Sequence, residues 1–112
     1  MKILLTGGAG YIGSHTSLIL LDAGHDVTII DNLSNGNRSL IPLKANFIEC
    51  NINDNHTISN LLKNQNFDIL MHFAGYVEVE DSIKNPKKYF KNNKENSKIL
   101  FDTCVQNNLT NI

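Results

Sequence analysis

Apolar residues along this chain come in short continuous runs that alternate with amphipathic stretches. Residues 2–6 read as a short buried strand, and residues 11–23 carry Ile12, Ile19, Leu20 and Ala23 at helical spacing until Gly24 stops the helix. Residues 26–31, Asp-Val-Thr-Ile-Ile-Asp, predict a second strand. The Asn, Ser and Gly content of residues 32–37 predicts a loop, and residues 45–50 predict a third strand. Ile58, Leu61 and Leu62 suggest a helix within 51–65, and residues 67–75 predict a fourth strand closing on Gly75. Asn85 and Pro86 read as the N-cap and first residue of a long helix, with Phe90, Ser97, Leu100, Phe101 and Cys104 along one face. Such a helix runs about 20 residues, or about 30 Å. Residues 107–112 stand where a fifth strand is expected to begin. Strand and helix taking turns in this way predict an α/β fold: a parallel sheet with helices on both faces, wound right-handed and cut near the start of strand 5.

Composition narrows the classes of function. With 112 residues, residues 1–112 are expected to make one domain or part of one. The chain is 41% hydrophobic with a formal net charge of -1, which is globular and lacks the electrostatic footprint of a nucleic-acid binder. Two cysteines, Cys50 and Cys104, are too few for a disulfide framework and read as core thiols. No apolar run approaches ~20 residues and no secretory leader is visible, so a cytoplasmic protein is expected, with neither nucleic acid nor membrane as a partner.

The sharpest chemical signal is Gly-Gly-Ala-Gly-Tyr-Ile-Gly, residues 7–13, between the first strand and the first helix. Gly8, Gly10 and Gly13 satisfy G-x-G-x-x-G, and Gly7, Gly10 and Gly13 satisfy the wider G-x-x-G-x-x-G. In this position early glycines allow a tight turn, the middle one lets backbone approach a pyrophosphate, and Gly13 lets helix and strand pack closely. The helix N-terminus then meets the phosphate charge. Asp31 ends the second strand, 18 residues beyond Gly13, where a carboxylate accepts hydrogen bonds from an adenosine ribose. A carboxylate there repels a 2′-phosphate and favours NAD, while Arg38, the only arginine, leaves an NADP-linked reductase as the alternative among enzymes.

The segments Thr-Gly-Gly-Ala-Gly-Tyr-Ile-Gly-Ser-His-Thr (6–16), Asp-Asn-Leu-Ser-Asn-Gly-Asn-Arg-Ser (31–39), His-Phe-Ala-Gly (72–75) and Asn-Pro-Lys-Lys-Tyr-Phe-Lys-Asn-Asn (85–93) together resemble the first half of the extended short-chain dehydrogenase/reductase family, in its UDP-sugar 4-epimerase branch. The resemblance implies a Rossmann-type domain holding NAD, with oxidation and re-reduction of a UDP-hexose at C4 in the complete protein, the interconversion of UDP-glucose and UDP-galactose in galactose metabolism. It implies cofactor contacts from Tyr11 and Ile12 at the pyrophosphate, and from Asp31, Asn32, Leu33, Ser34, Asn35 and Gly36 around the ribose. Asn51 and Ile52 correspond to an Asp-Ile pair beside the adenine, and an Asn carbonyl still accepts from an adenine amine. Phe73, Ala74 and Gly75 correspond to the strand end along the nicotinamide half, and Asn92 to an Asn on the following helix. In that family the helices of this region also build a homodimer.

Two departures stand out. Where the family has a lysine two residues past Phe-Ala-Gly, this chain has Val77, followed by Glu78, Glu80 and Asp81, which removes a charge-assisted hydrogen bond of order 1.5–3 kcal/mol. The family's catalytic Ser and Tyr-x-x-x-Lys are also missing: four residues beyond Tyr11, Tyr76 and Tyr89 stand His15, Glu80 and Asn93. With no UDP-sugar-binding domain in these residues either, no catalytic residue is expected, and UDP-sugar is a partner only if the remainder is supplied. A free-standing NAD-binding or redox-sensing module and a non-functional remnant are the other readings. His72 reads as a satisfied strand-end histidine; His15, His25 and His56 show no ligand spacing, so no metal is expected. Lys84, Lys87, Lys91, Lys94 and Lys98 recur at intervals of three or four and read as a solvated stripe on the long helix. Self-association through an exposed sheet edge or that helix is the remaining partner expectation.

Overall fold

The computed structural model describes residues 1–75, 86–87 and 91–112. Four parallel strands, β1 (Lys2–Thr6), β2 (Asp26–Asp31), β3 (Asn46–Glu49) and β4 (Ile69–His72), lie in the order β3-β2-β1-β4. Leu4 stands beside Thr28 on one side and Leu70 on the other, so β1, like β2, is an inner strand. Parallel strands covered on both faces read as continuous apolar runs rather than alternating ones, which is why β1 and β2 are nearly all buried. On one face Ile3, Leu5, Val27 and Ile29 pack with Leu20 and Leu21 of helix α1 (Tyr11–Asp22). On the other, Leu4, Ile30 and Leu70 meet Ile58, Leu61 and Leu62 of α2 (Asn55–Asn64) and Leu100 and Cys104 of α3 (Ser97–Gln106).

Each strand and helix predicted before residue 107 within the described residues is present, four of them differing in detail, while residues 107–112 hold no strand. The buried face of α1 consists of Gly13, Ser14 and Ser17, while Ile12 and Ile19 are 65% and 69% exposed. Small side chains let the helix backbone sit close to the sheet, and that proximity overrides the apolar periodicity. β3 and β4 are shorter than the residue pattern suggests: at their carboxyl ends Cys50 and Phe73 to Gly75 leave the ladder to line a cleft, and Ala45, Phe67 and Asp68 stand before the strands begin. The long helix is π-wound over Lys91–Asn96 before continuing as α3. Its expected start at Asn85 and its face residue Phe90 lie outside the described residues, as do Lys84, Val77, Glu78, Glu80 and Asp81. Lys87, Lys94 and Lys98 are exposed, and Lys98 pairs with Asp102 at 2.7 Å.

Asp54 caps α2, its carboxylate accepting from the Thr57 amide at 3.2 Å and hydroxyl at 2.8 Å. Those bonds hold its pKa below the usual carboxylate value. At the far end of the chain, Leu70 N–H donates to the Asn111 carbonyl at 2.8 Å, so residues just beyond α3 begin to pair with the outer edge of β4. No helix among the described residues is long and apolar enough to cross a membrane.

Candidate cofactor site

A cleft of about 650 Å³ opens across the carboxyl ends of the strands, within the ~300–1,000 Å³ range of small-molecule and cofactor sites. Its central wall is the turn from β1 into α1. Gly7 holds φ at +76°, and a Cβ there would lie 2.6 Å from Ala74 N, so the turn and the segment after β4 can approach only through glycine. A Cβ on Gly13 would drive into the Gly7 carbonyl oxygen. Gly10 differs: its backbone is extended, φ -84° and ψ 173°, and a Cβ would meet only the Gly7 carbonyl at 3.4 Å. Protein packing therefore leaves room for a side chain at Gly10, and what that side chain would enter is the cleft. Gly10 is also the N-cap of α1, and among the described residues no side chain caps its first-turn amides. Unclaimed helix-terminal N–H groups beside a glycine suit a pyrophosphate.

Asp31 lies at the end of β2 and is 8% exposed. Its Oδ2 accepts from Ala9 N–H at 2.9 Å and its Oδ1 from Leu33 N–H at 2.7 Å. One carboxylate thus ties the glycine turn to the following loop, and each oxygen keeps a second lone pair for a ribose hydroxyl. Leu33 pays with a positive φ of 62°. Among the described residues lining the cleft, Asp31 is the only charged one. Arg38 turns away, 3.6 Å from Glu49 and stacked 5.3 Å over the Phe47 ring.

The cleft gathers most of the residues singled out from the sequence: Gly7, Gly10, Tyr11, Ile12 and Gly13 at the turn, Asp31, Asn32, Ser34, Asn35 and Gly36 beyond β2, Asn51 and Ile52 beyond β3, and Phe73, Ala74 and Gly75 beyond β4. Gly8 is not in its wall; it backs onto Ile29, whose side chain a Cβ would meet at 2.5 Å. Leu33 contributes its amide to Asp31 rather than a surface to the cleft. Asn92 sits in the π-wound turn, and its side chain lies outside the described residues. Cys50, Asn53 and Asn96 are the other described residues of the lining, and they were not singled out. Cys50 and Asn53 flank Asn51 and Ile52 and were legible by adjacency. Asn96 is brought in by the helix, where it accepts from Asn53 Nδ2 at 3.3 Å, and no local pattern marks it.

The remaining polar groups nearby are structural. His72 Nδ1 lies 2.6 Å from Thr6 Oγ1 and Nε2 lies 2.8 Å from Ser97 Oγ, while Ala74 N–H donates to Thr6 Oγ1 at 3.3 Å. Burial pushes the His72 pKa below its ordinary value, so the ring serves as a neutral link between β1, β4 and α3. Burial, and then the Asp54 charge, push the Cys50 thiol up to about 11; burial alone does the same to Cys104, also about 11. Neither is a thiolate at neutral pH. Among the described residues no group of three or more His, Cys, Asp or Glu is placed to hold a metal ion.

Comparison with known proteins agrees with this geometry. The model of the NAD dependent epimerase/dehydratase family matches residues 3–112. The chain is 40% identical to a UDP-glucose 4-epimerase of Corynebacterium glutamicum over 112 residues, all of this chain and 33% of that protein. Its fold superposes on a UDP-glucose 4-epimerase of Thermotoga maritima solved with UDP-glucose at a TM-score of 0.91 and 31% identity, covering 97% of this chain and 35% of the other. A Brucella ovis UDP-glucose 4-epimerase solved with NAD gives 0.90 and 33%, covering 96% and 33%. The chain thus spans about a third of the length of each of these proteins. On a match that runs through nearly every residue, and with a glycine turn and carboxylate set for a dinucleotide, the chain belongs to the NAD dependent epimerase/dehydratase family.

Proposed function

We propose that residues 1–112 are the NAD-binding part of a UDP-glucose 4-epimerase-like protein and do not epimerise a sugar by themselves. The observation that carries the reading is Gly10: the fold has space for a side chain there, and a glycine keeps that space open at the N-terminus of α1. On this reading the amides opening α1 hold the pyrophosphate, Asp31 holds the adenosine ribose, Asn51 and Ile52 flank the base, and Phe73 to Gly75 border the nicotinamide half. Bound NAD supplies a hydride acceptor for the sugar carbon. The chain's contribution is to fix that cofactor and to keep water from its inner face, since Ile52 and Ala74 pack onto the core below.

NAD is favoured over NADP by two features. The Asp31 carboxylate opposes a 2′-phosphate, and the one arginine is engaged with Glu49 and Phe47 instead of facing the cleft. Inactivity of the isolated residues follows from the absence of any Tyr-x-x-x-Lys, the pair that would exchange a proton with the sugar hydroxyl. A free-standing NAD-binding module is the second reading, favoured by a sheet whose two faces are both covered by this chain's own helices.

Thermal unfolding of residues 1–112 with NAD and NADP titrated separately tests the proposal. NAD should raise the midpoint of a cooperative transition and NADP should do so only at much higher concentration. A transition indifferent to NAD would refute cofactor binding and leave the remnant reading. Epimerase activity of these residues alone would refute the division of labour.

A further inference from the structure

We propose that Asn35 is a modification site: its side-chain amide is lost by attack of the Gly36 backbone nitrogen, which puts a second carboxylate into the cofactor cleft and weakens NAD binding as the protein ages. The loss of affinity rests on the NAD reading above, whereas the reaction does not. Asn35-Gly36 is the one Asn-Gly pair in the chain. A following glycine exposes an asparagine amide to attack, because without a Cβ its nitrogen is unshielded and its backbone is free to approach. Packing holds glycine at this position. A Cβ on Gly36 would lie 2.7 Å from Ala9 Cβ and 2.9 Å from the Ala9 carbonyl carbon and oxygen, in the turn between β1 and α1. The close passage of the loop over that turn therefore imposes the labile pair.

Three asparagines share this loop, and hydrogen bonding sets one apart. Asn32 Oδ1 accepts from the Ser34 N–H at 3.0 Å, and its Nδ2 donates to Asn51 Oδ1 at 2.7 Å. Asn37 Oδ1 accepts from the Ser39 N–H at 2.9 Å and hydroxyl at 2.8 Å, and its own N–H donates to the Ala9 carbonyl at 2.9 Å. Asn35 is exposed, and among the described residues neither its side chain nor the Gly36 N–H has a hydrogen-bond partner. Nucleophile and electrophile are thus adjacent and both unengaged. Solvent base takes the Gly36 amide proton, the nitrogen attacks Asn35 Cγ, and the N–Cγ bond forms as Cγ–Nδ2 breaks. Nδ2 leaves as ammonia, carrying a proton from solvent. Water then opens the succinimide at either carbonyl to give aspartate or isoaspartate; nothing is oxidised or reduced, and water is the only co-reactant. Asn35 lines the cleft, where Asp31 is the only charge among the described residues, so the new carboxylate opposes the cofactor's phosphates.

The test is incubation of the chain in mildly alkaline buffer, followed by tandem mass spectrometry and by calorimetric titration with NAD. Trypsin cuts after Lys2 and Arg38, so one peptide carries all three loop asparagines. Asn35 should exchange its NH2 for OH at least an order of magnitude faster than Asn32 or Asn37. The converted chain should bind NAD roughly 3–10-fold more weakly than the fresh one. Asn35→Gln, whose longer side chain cannot close the same ring, should keep through the incubation the affinity with which it starts, and melting before and after checks that the fold is kept. Asn35 reacting no faster than its two neighbours overturns the inference, as does a converted chain that binds NAD as tightly as the fresh one, and either result leaves NAD binding standing. Fresh chain that fails to bind NAD overturns the cofactor reading and the loss of affinity together, and the mass of the peptide then decides the modification by itself.

Discussion

Replacing Gly10 by Ser separates what the fold needs from what the cofactor needs. Gly10 has φ -84° and ψ 173°, a conformation any residue adopts, and a Cβ would come no nearer than 3.4 Å to the Gly7 carbonyl. Serine is moreover the better N-cap, by a few tenths of a kcal/mol over glycine. The unliganded midpoint should hold or rise by ~1–2 °C, taking ~4–8 °C per kcal/mol for a domain of this size. Binding should suffer, because the new hydroxyl both enters the cleft and accepts an amide that otherwise meets phosphate. Losing one hydrogen bond to a charged group is worth ~1.5–3 kcal/mol, or roughly 10–150-fold in affinity. At a NAD concentration of about 100 times the dissociation constant of the unmodified chain, ligand stabilisation of ~2.7 kcal/mol should fall to between ~1.3 and ~0.3 kcal/mol. Differential scanning fluorimetry of the two proteins with and without NAD reads both quantities. An undiminished NAD shift in Gly10→Ser would refute the placement of the pyrophosphate, and a fall of many degrees without ligand would refute the claim that packing spares this position.

Asp31→Ala should behave in the opposite way: it strands the Ala9 and Leu33 amides at ~1–3 kcal/mol each, so chemical denaturation should show a clear loss of stability before any nucleotide is added. An Asp31→Ala protein as stable as the parent would mean that the carboxylate is not the tie between the two loops. His72 has a pKa lowered by burial in the folded chain, so the unfolded state binds the proton more readily. Its contribution to stability is complete above the ordinary histidine value of about 6.5 and declines as pH falls below it. The melting midpoint of the chain should therefore drop more steeply over that acid window than that of His72→Gln, and parallel curves would count against the neutral link to Thr6 and Ser97.

Much of the fold was legible because a parallel strand buried on both faces needs only a continuous apolar run, as Ile3-Leu4-Leu5 and Val27 to Ile30 provide. The glycine turn was legible for a related reason, since backbone geometry and close approach leave few other residues possible at Gly7 and Gly13. Helix α1 was harder. Leu20 and Leu21 pack on the core as the pattern suggests, but the fully buried part of the inner face is Gly13, Ser14 and Ser17, and Ile12 and Ile19 point to the wrong side. The double duty of Asp31 was hidden because its partners are backbone amides at Ala9 and Leu33, and amides leave no mark in a sequence. Asn32 and Asn51 were each placed near the nucleotide, but their pairing depends on two strand ends lying side by side. The π winding of Lys91–Asn96 has no signal in composition.

The strand order also bears on how the chain can be assembled as it is made. β1 emerges first and becomes an inner strand; β2 joins one edge of it, β3 joins the free edge of β2, and β4 joins the other edge of β1. Each arrival therefore extends an open border, and no pair already formed must be prised apart to admit a latecomer. The β1, β2 and β3 segments of the cleft wall lie between Gly7 and Asn53, a stretch that at ~5–20 residues per second is made within seconds. A nascent chain can thus lay down its nucleotide pocket in the order in which the ribosome releases it.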